Sequence, residues 1–156
     1  MSKIEVLVYE QDTSSAAAIS LALRALGYGV TGFSSDPQSA LKLASKLKAD
    51  LALIDIDGAG EALGLSLALS LRRRFELPIV YTTSFVHPAV AAQLTGSPAV
   101  DFVLRPLSSE RIAAAIERCF NRHLSSEGWI ETQPYMNAEE LSKVNALNNS
   151  RIFHVG

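Results

Sequence analysis

The chain has 156 residues, 48% of them hydrophobic and 19% charged, with a formal net charge of -2. That is room for one α/β domain and a tail, and it excludes disorder by composition; without a basic excess, direct binding to nucleic acid or an anionic membrane is not expected. The single cysteine, Cys119, excludes an internal disulfide and a cysteine-based zinc site, and with Glu5 breaking the amino-terminal apolar run and no stretch near ~20 apolar residues, a cytoplasmic protein without a membrane segment is expected.

Val6-Leu7-Val8-Tyr9 is a short apolar run of the kind that forms a strand covered on both faces. It stops at Glu10-Gln11-Asp12. Thr13, Ser14 or Ser15 can cap the following helix. That helix carries Ile19, Ala22, Leu23 and Leu26 at helical spacing and ends at Gly27 and Gly29. Val30 to Phe33 is a second, weaker strand. Asp36-Pro37 reads as a cap and first helical residue, and Leu41, Ala44 and Leu47 are the expected buried stripe. Leu51 to Ile54 is a third strand, ending at Asp55-Ile56-Asp57-Gly58. A helix is expected over Glu61 to Phe75, closing on Arg72-Arg73-Arg74, which read as a solvated end that complements the helix dipole. Pro78 to Tyr81 starts a fourth strand, which ends at Thr82-Thr83-Ser84. A short helix covers about Pro88 to Leu94. Phe102 to Leu104 is a fifth strand, followed by Arg105-Pro106. Ser108 caps a last helix with Ile112, Ile116 and Phe120 on one face, and Cys119 beside them reads as a small core residue.

The residues after Asn121 differ in composition. Ser125 to Gly128 reads as a linker, Asn137 to Leu147 as a short helix and Ser150 to Val155 as a strand, with Trp129, Tyr135 and Phe153 as apolar anchors. His87, His123 and His154 show no metal-ligand spacing.

Five strands alternating with five helices imply right-handed crossovers and a parallel sheet covered on both faces. In such sheets the site lies at the carboxyl ends of the strands, and here those ends carry Glu10, Asp55, Thr83 and Arg105. An aspartyl-phosphate site needs those residue types. Asp55 supplies a nucleophile and Glu10 a second carboxylate. The carbonyl of Asp57 offers a neutral oxygen for a hard divalent cation, while Thr83 and Arg105 offer a hydroxyl and a cation to phosphoryl oxygens. Thr82 reads as structural.

These segments, in order and with their spacing, resemble the receiver domains of two-component response regulators. Val6 to Asp12 resembles the family's first strand and acidic cluster, and Asp50 to Asp55 its phospho-acceptor strand. Phe75 to Ser84 resembles its fourth strand with a switch threonine, and Phe102 to Leu107 its Lys-Pro segment. The resemblance implies a flavodoxin-like doubly wound (βα)5 sheet of order 2-1-3-4-5 over residues 3-123, with 124-156 as an extension. It implies a phosphorelay role without other enzymatic activity. Asp55 would accept a phosphoryl group from a histidine kinase or phosphotransfer protein. Magnesium would be held by Glu10, Gln11, Asp55 and the Asp57 carbonyl, with Asp12 able to reach in. Thr83 and Phe102 would switch, changing contacts with a downstream protein or a second copy through the fourth helix, fifth strand and fifth helix. The Arg105-Pro106 bond would be cis.

Two departures bear on this. Gln11 stands where the family has a second acid, which weakens the expected magnesium site. Arg105 stands where it has lysine, and a forked guanidinium can grip a phosphate or sit against Asp55 and lock the site. They motivate an alternative, a degenerate receiver that binds partners without phosphorylation. Asp55-Ile56-Asp57-Gly58 is also similar to the first motif of haloacid-dehalogenase-like phosphatases, which that family places on its opening strand; here about fifty residues precede it.

Overall fold

The strand runs are apolar almost without interruption because both faces of the sheet are covered. The computed structural model describes residues 3-57, 61-86, 88-96 and 99-125. It has strands β1 (Glu5–Tyr9), β2 (Gly29–Ser34), β3 (Leu51–Asp55), β4 (Ile79–Thr83) and β5 (Val100–Leu104). Between and after them come helices α1 (Thr13–Ala25), α2 (Pro37–Lys46), α3 (Glu61–Phe75), α4 (Pro88–Gly96) and α5 (Ser109–Ser125). All strand pairs are parallel and the order is β2-β1-β3-β4-β5, as expected. The linker, helix and strand expected after α5 lie outside the described residues.

Strand alternation divides the core in two. Leu7, Tyr9, Ala52, Ile54, Ile79, Tyr81 and Val100 face Ala40 of α2 and Leu65, Ala68 and Leu71 of α3. Val6, Val8, Leu51, Leu53, Val80 and Val103 face Ile19 and Leu23 of α1 and Ile112, Ala115, Ile116 and Cys119 of α5. The second face also carries a polar tie. Asp101 of β5 accepts from Arg118 Nε (3.0 Å) and Nη2 (3.2 Å) and from Arg122 Nη2 (2.6 Å) on α5.

Local signals hold with some corrections. Asp36 caps α2 by accepting from the Ser39 amide, Pro37 opens that helix, and the Ser108 hydroxyl accepts from the Arg111 amide at the start of α5. The cap of α1 is Asp12, not Thr13, Ser14 or Ser15: its carboxylate accepts from the Ser15 amide at 3.2 Å. Aspartate caps as well as serine, and its carboxylate also favours the positive helix end. Leu26 and Leu47 fall at C-caps, where the helical phase stops, and both are exposed rather than part of a buried stripe. Of the three arginines ending α3, Arg73 and Arg74 are exposed but Arg72 is half-buried, so that end is only partly solvated.

One helix-strand approach positions the site. Gly64 of α3 lies against the carboxyl end of β3, so close that a Cβ there would stand 2.7 Å from the Asp55 carbonyl oxygen and 2.9 Å from Ile56 Cγ2. Replacing Gly64 with alanine should therefore destabilise the fold by about 1–3 kcal/mol, even though alanine is the better helix former by about 1 kcal/mol. Urea unfolding measures this; unchanged or higher stability would mean that α3 retreats from Asp55 freely. Burial pushes the Cys119 thiol up to about 12, and its sulfur lies 3.4 Å from the Ile79 carbonyl oxygen. Thiol reagents at pH 8 should leave Cys119 unmodified in the folded chain and label it in denaturant.

Candidate functional site

Each site residue stands where a strand gives way to a loop, and neighbouring strands hold its backbone. Glu10 follows β1, and its amide donates to the Ser34 carbonyl at 3.0 Å. Asp55 ends β3 in register with Thr82 of β4. Thr83 ends β4, and its carbonyl accepts from the Arg105 amide at 2.8 Å. Arg105 follows β5, and the Arg105-Pro106 peptide is cis, as expected. The sheet thus brings four sequence-distant side chains to one edge. Glu10, Asp55 and Thr83 are buried there, with relative exposures of 4%, 7% and 1%.

The Arg105 guanidinium reaches three carboxylates. Its Nη2 lies 2.9 Å from Glu10 Oε1 and 3.1 Å from Asp55 Oδ1, and its Nε donates to Asp57 Oδ2 at 2.8 Å. These are charge-assisted bonds, shorter and stronger than neutral ones. Burial works against the charge on Arg105, but Asp55 and then Glu10 outweigh it and hold the guanidinium pKa above its ordinary value. Glu10 moves above the usual carboxylate range, first through burial and then through the nearby Asp55 carboxylate. The Asp12 amide and Arg105 oppose that rise.

Asp57 contributes more than a backbone carbonyl. Its carboxylate accepts from the Ser84 amide (2.7 Å), the Ser84 hydroxyl (2.9 Å) and the Thr83 hydroxyl (3.2 Å), as well as from Arg105. Burial acts to raise its pKa, but the two Ser84 donors, Thr83 and Arg105 together lower it. The Thr83 hydroxyl has one hydrogen and two acceptors in reach, Asp57 Oδ1 and the Phe85 carbonyl at 2.8 Å. Thr83 makes no hydrogen bond to Asp55. A hydroxyl that does reach Asp55 belongs to Thr82, read from sequence as structural, at 3.5 Å from Oδ1, the outer limit of a hydrogen bond. Ser84 was not singled out from sequence, although its place beside Thr83 at a strand end was a signal.

The remaining expected ligands stand apart. Gln11 is exposed and takes no part in the bonds around Arg105. The Asp12 carboxylate is exposed and engaged in capping α1, while its amide holds Glu10 Oε2 at 3.4 Å. Phe102 is half-buried, packed against the α2-α3 side of the core.

Magnesium is the cation that the resemblance implies, and the donor set does not fit it in this arrangement. The Arg105 guanidinium already occupies Glu10 Oε1 and Asp55 Oδ1, carboxylate oxygens of the residues that would hold the ion. Among the described residues no group of three or more histidine, cysteine, aspartate or glutamate side chains is arranged to hold a metal.

Comparison with known proteins agrees with the architecture. Residues 6–117 match the family described as response regulator receiver domain. The chain is 26% identical to the signal receiver domain of a modulated diguanylate cyclase from Desulfovibrio desulfuricans, with a TM-score of 0.69 over 81% of this chain and 100% of that one. The receiver domain of the PhyR response regulator of Erythrobacter litoralis (21% identity, TM-score 0.64, 78% of this chain and 92% of that one) shares the fold. So does a chemotaxis protein of Vibrio cholerae (21% identity, TM-score 0.64, 76% of this chain and 99% of that one).

The raised Glu10 pKa makes its ionisation a cost to the fold: its stabilising contribution is full below the unfolded glutamate value of about 4.3 and is lost as pH rises through the folded value. Arg105 limits that loss. Arg105→Ala should therefore lower the unfolding free energy by about 1–3 kcal/mol at pH 7, a figure discounted for the partial exposure of Arg105. The deficit should narrow as pH falls toward about 4. Denaturant unfolding at two pH values measures both; a pH-independent deficit would mean that Arg105 acts through packing alone.

Proposed function

Since the chain belongs to the response regulator receiver domain family, we propose that it is a signalling receiver that works through protein contacts while Arg105 holds its acidic pocket shut. The carrying observation is the one guanidinium bonded to Glu10, Asp55 and Asp57 together. In that state the chain's own guanidinium sits on Asp55 Oδ1 and competes there with magnesium and a phosphoryl donor. Output then depends on surface rather than on phosphate. The α4-β5-α5 side supports this, since Phe85 and Val86 just before α4 and Leu104 at the end of β5 are exposed apolar side chains. A downstream protein or a second copy of the chain is the partner such a face suits. The chemistry proposed is signalling, with no substrate turnover.

A second reading has its own support. Asp55 ends the central strand, Thr83 ends the next and Phe102 stands half-buried on β5, the set that phosphorelay from a histidine kinase or phosphotransfer protein would use. It requires Arg105 to leave Asp55 and magnesium to enter without help from Gln11.

Amide spectra of the β4-α4 region, recorded with beryllofluoride and millimolar magnesium, separate the two readings. The wild-type chain should show no Asp55-dependent change. The double variant Arg105→Lys with Gln11→Asp should show one that Asp55→Asn abolishes. A wild-type response lost in Asp55→Asn would establish the phosphorelay reading instead.

A further inference from the structure

The opposite edge of the sheet, where β3 and β4 begin, carries a separate cavity. It has a volume of about 250 Å³ and is lined by Ala49 before β3, by Phe75, Leu77 and Pro78 at the α3-β4 turn, and by Phe120 and His123 of α5. Its apolar lining is incompletely covered. Ile112 and Ile116 of α5 are buried, while Phe120, four residues further along the same face, is only half-buried, and so is Phe75 of α3. The turn that forms one wall is fixed by its backbone: the Glu76 amide donates to the Arg72 carbonyl at 3.0 Å, with Glu76 in the left-handed region at φ 56. Exposed cations border the cavity. Lys48 precedes Ala49, and Arg73 and Arg74 precede Phe75, with the Arg74 guanidinium carbon 5.4 Å from the centroid of that ring. Glu76 is the exposed acid of the lining; the other acid, Asp50, accepts from the Glu5 amide at 2.8 Å.

The path of α5 brings the chain to this cavity. His123 lines it, and α5 ends at Ser125. The sequence continues Ser126-Glu127-Gly128-Trp129-Ile130-Glu131, outside the described residues. At most about 20 Å of extended chain separates Trp129 from His123. The stretch sets an apolar pair, Trp129 and Ile130, between two glutamates, which complements an apolar cavity bordered by cations. We propose that residues 127–131 of this chain dock in the cavity at the amino edge of the sheet, with Trp129 against Phe75 and Phe120 and with Glu127 and Glu131 facing Lys48 and Arg74. The short connection holds Trp129 near the cavity at an effective concentration of roughly millimolar order, so docking within one chain is favoured over docking between chains. The extension then belongs to the domain and ties the end of α5 to the α3-β4 turn, at the edge opposite the carboxylates. The inference uses neither Arg105 nor the state of Asp55.

Trp129 is the single tryptophan, so its fluorescence in the full chain reads the docking directly. In the native chain its emission should lie at shorter wavelength than in urea, and acrylamide should quench it several-fold less, at every protein concentration. Reversing the border charges with Lys48→Glu and Arg74→Glu should remove much of that protection. Adding Glu127→Lys and Glu131→Lys should restore it. Lys48 and Arg74 are exposed, so the fold should survive the exchange, and circular dichroism checks that it does. Trp129→Ala should shift the amide resonances of Phe75 to Leu77 and of Phe120 to His123 while leaving those of Thr83 and Ser84 in place. Native quenching equal to that in urea, protection indifferent to charge reversal, or protection lost on dilution, which would mark docking into a second copy, would each overturn the proposal. So would Trp129→Ala shifts that miss both segments.

Discussion

One guanidinium facing three carboxylates sets the state of this protein. Glu10, Asp55 and Asp57 come from two strand ends and a loop, and without a cation between them their charges would repel across a few ångströms of partly desolvated space. Arg105 is long and forked enough to meet all three at once. A lysine, with a single compact charge, would leave at least part of that negative field for a separate ion. The arginine is therefore more than a conservative exchange. It brings into the covalent chain a cation that would otherwise come from solution.

The sheet is what makes that arrangement affordable. Arg105 is held at its backbone by Thr83, Asp55 is opposed in register by Thr82, and Gly64 lets α3 lie directly on the end of β3. Two apolar faces, one under α1 and α5 and one under α2 and α3, keep the five strand ends in fixed relation. The polar edge inherits that rigidity, so a change in what Arg105 or Asp57 holds has to be taken up by the loops. Thr83 and Ser84 lie where β4 passes into such a loop, and the exposed Phe85 and Val86 follow directly. A rearrangement at the carboxylates would therefore reach a surface that a partner could read, within three residues of chain.

Much of this was legible in sequence, for reasons that differ from residue to residue. Val6 to Tyr9 and Leu51 to Ile54 announced buried strands because parallel strands covered on both faces need no polar alternation. Strand order followed from the receiver resemblance. The shared edge followed from the parallel sheet that alternating strands and helices imply, which puts the carboxyl ends carrying Glu10, Asp55, Thr83 and Arg105 on one side. Misreadings clustered at helix ends. Asp12 caps α1 where three hydroxyl residues competed for the role, and Leu26 and Leu47 keep helical spacing one residue past the point where the helix stops. Spacing records phase along a helix but not where the helix ends.

What the sequence determined by itself was the fold, the location of the pocket and the two substitutions, Gln11 and Arg105, that set it apart. It left open whether Arg105 would reach toward a phosphate or lie against Asp55, and it treated Asp57 mainly as a carbonyl. Only the tertiary structure decided these points. The direction of a long side chain depends on which acceptors the other strands place within its reach, and those acceptors are 95, 50 and 48 residues away in the chain. Ser84 became visible for the same reason: its amide and hydroxyl gain meaning only once a carboxylate from the loop after β3 is folded against them.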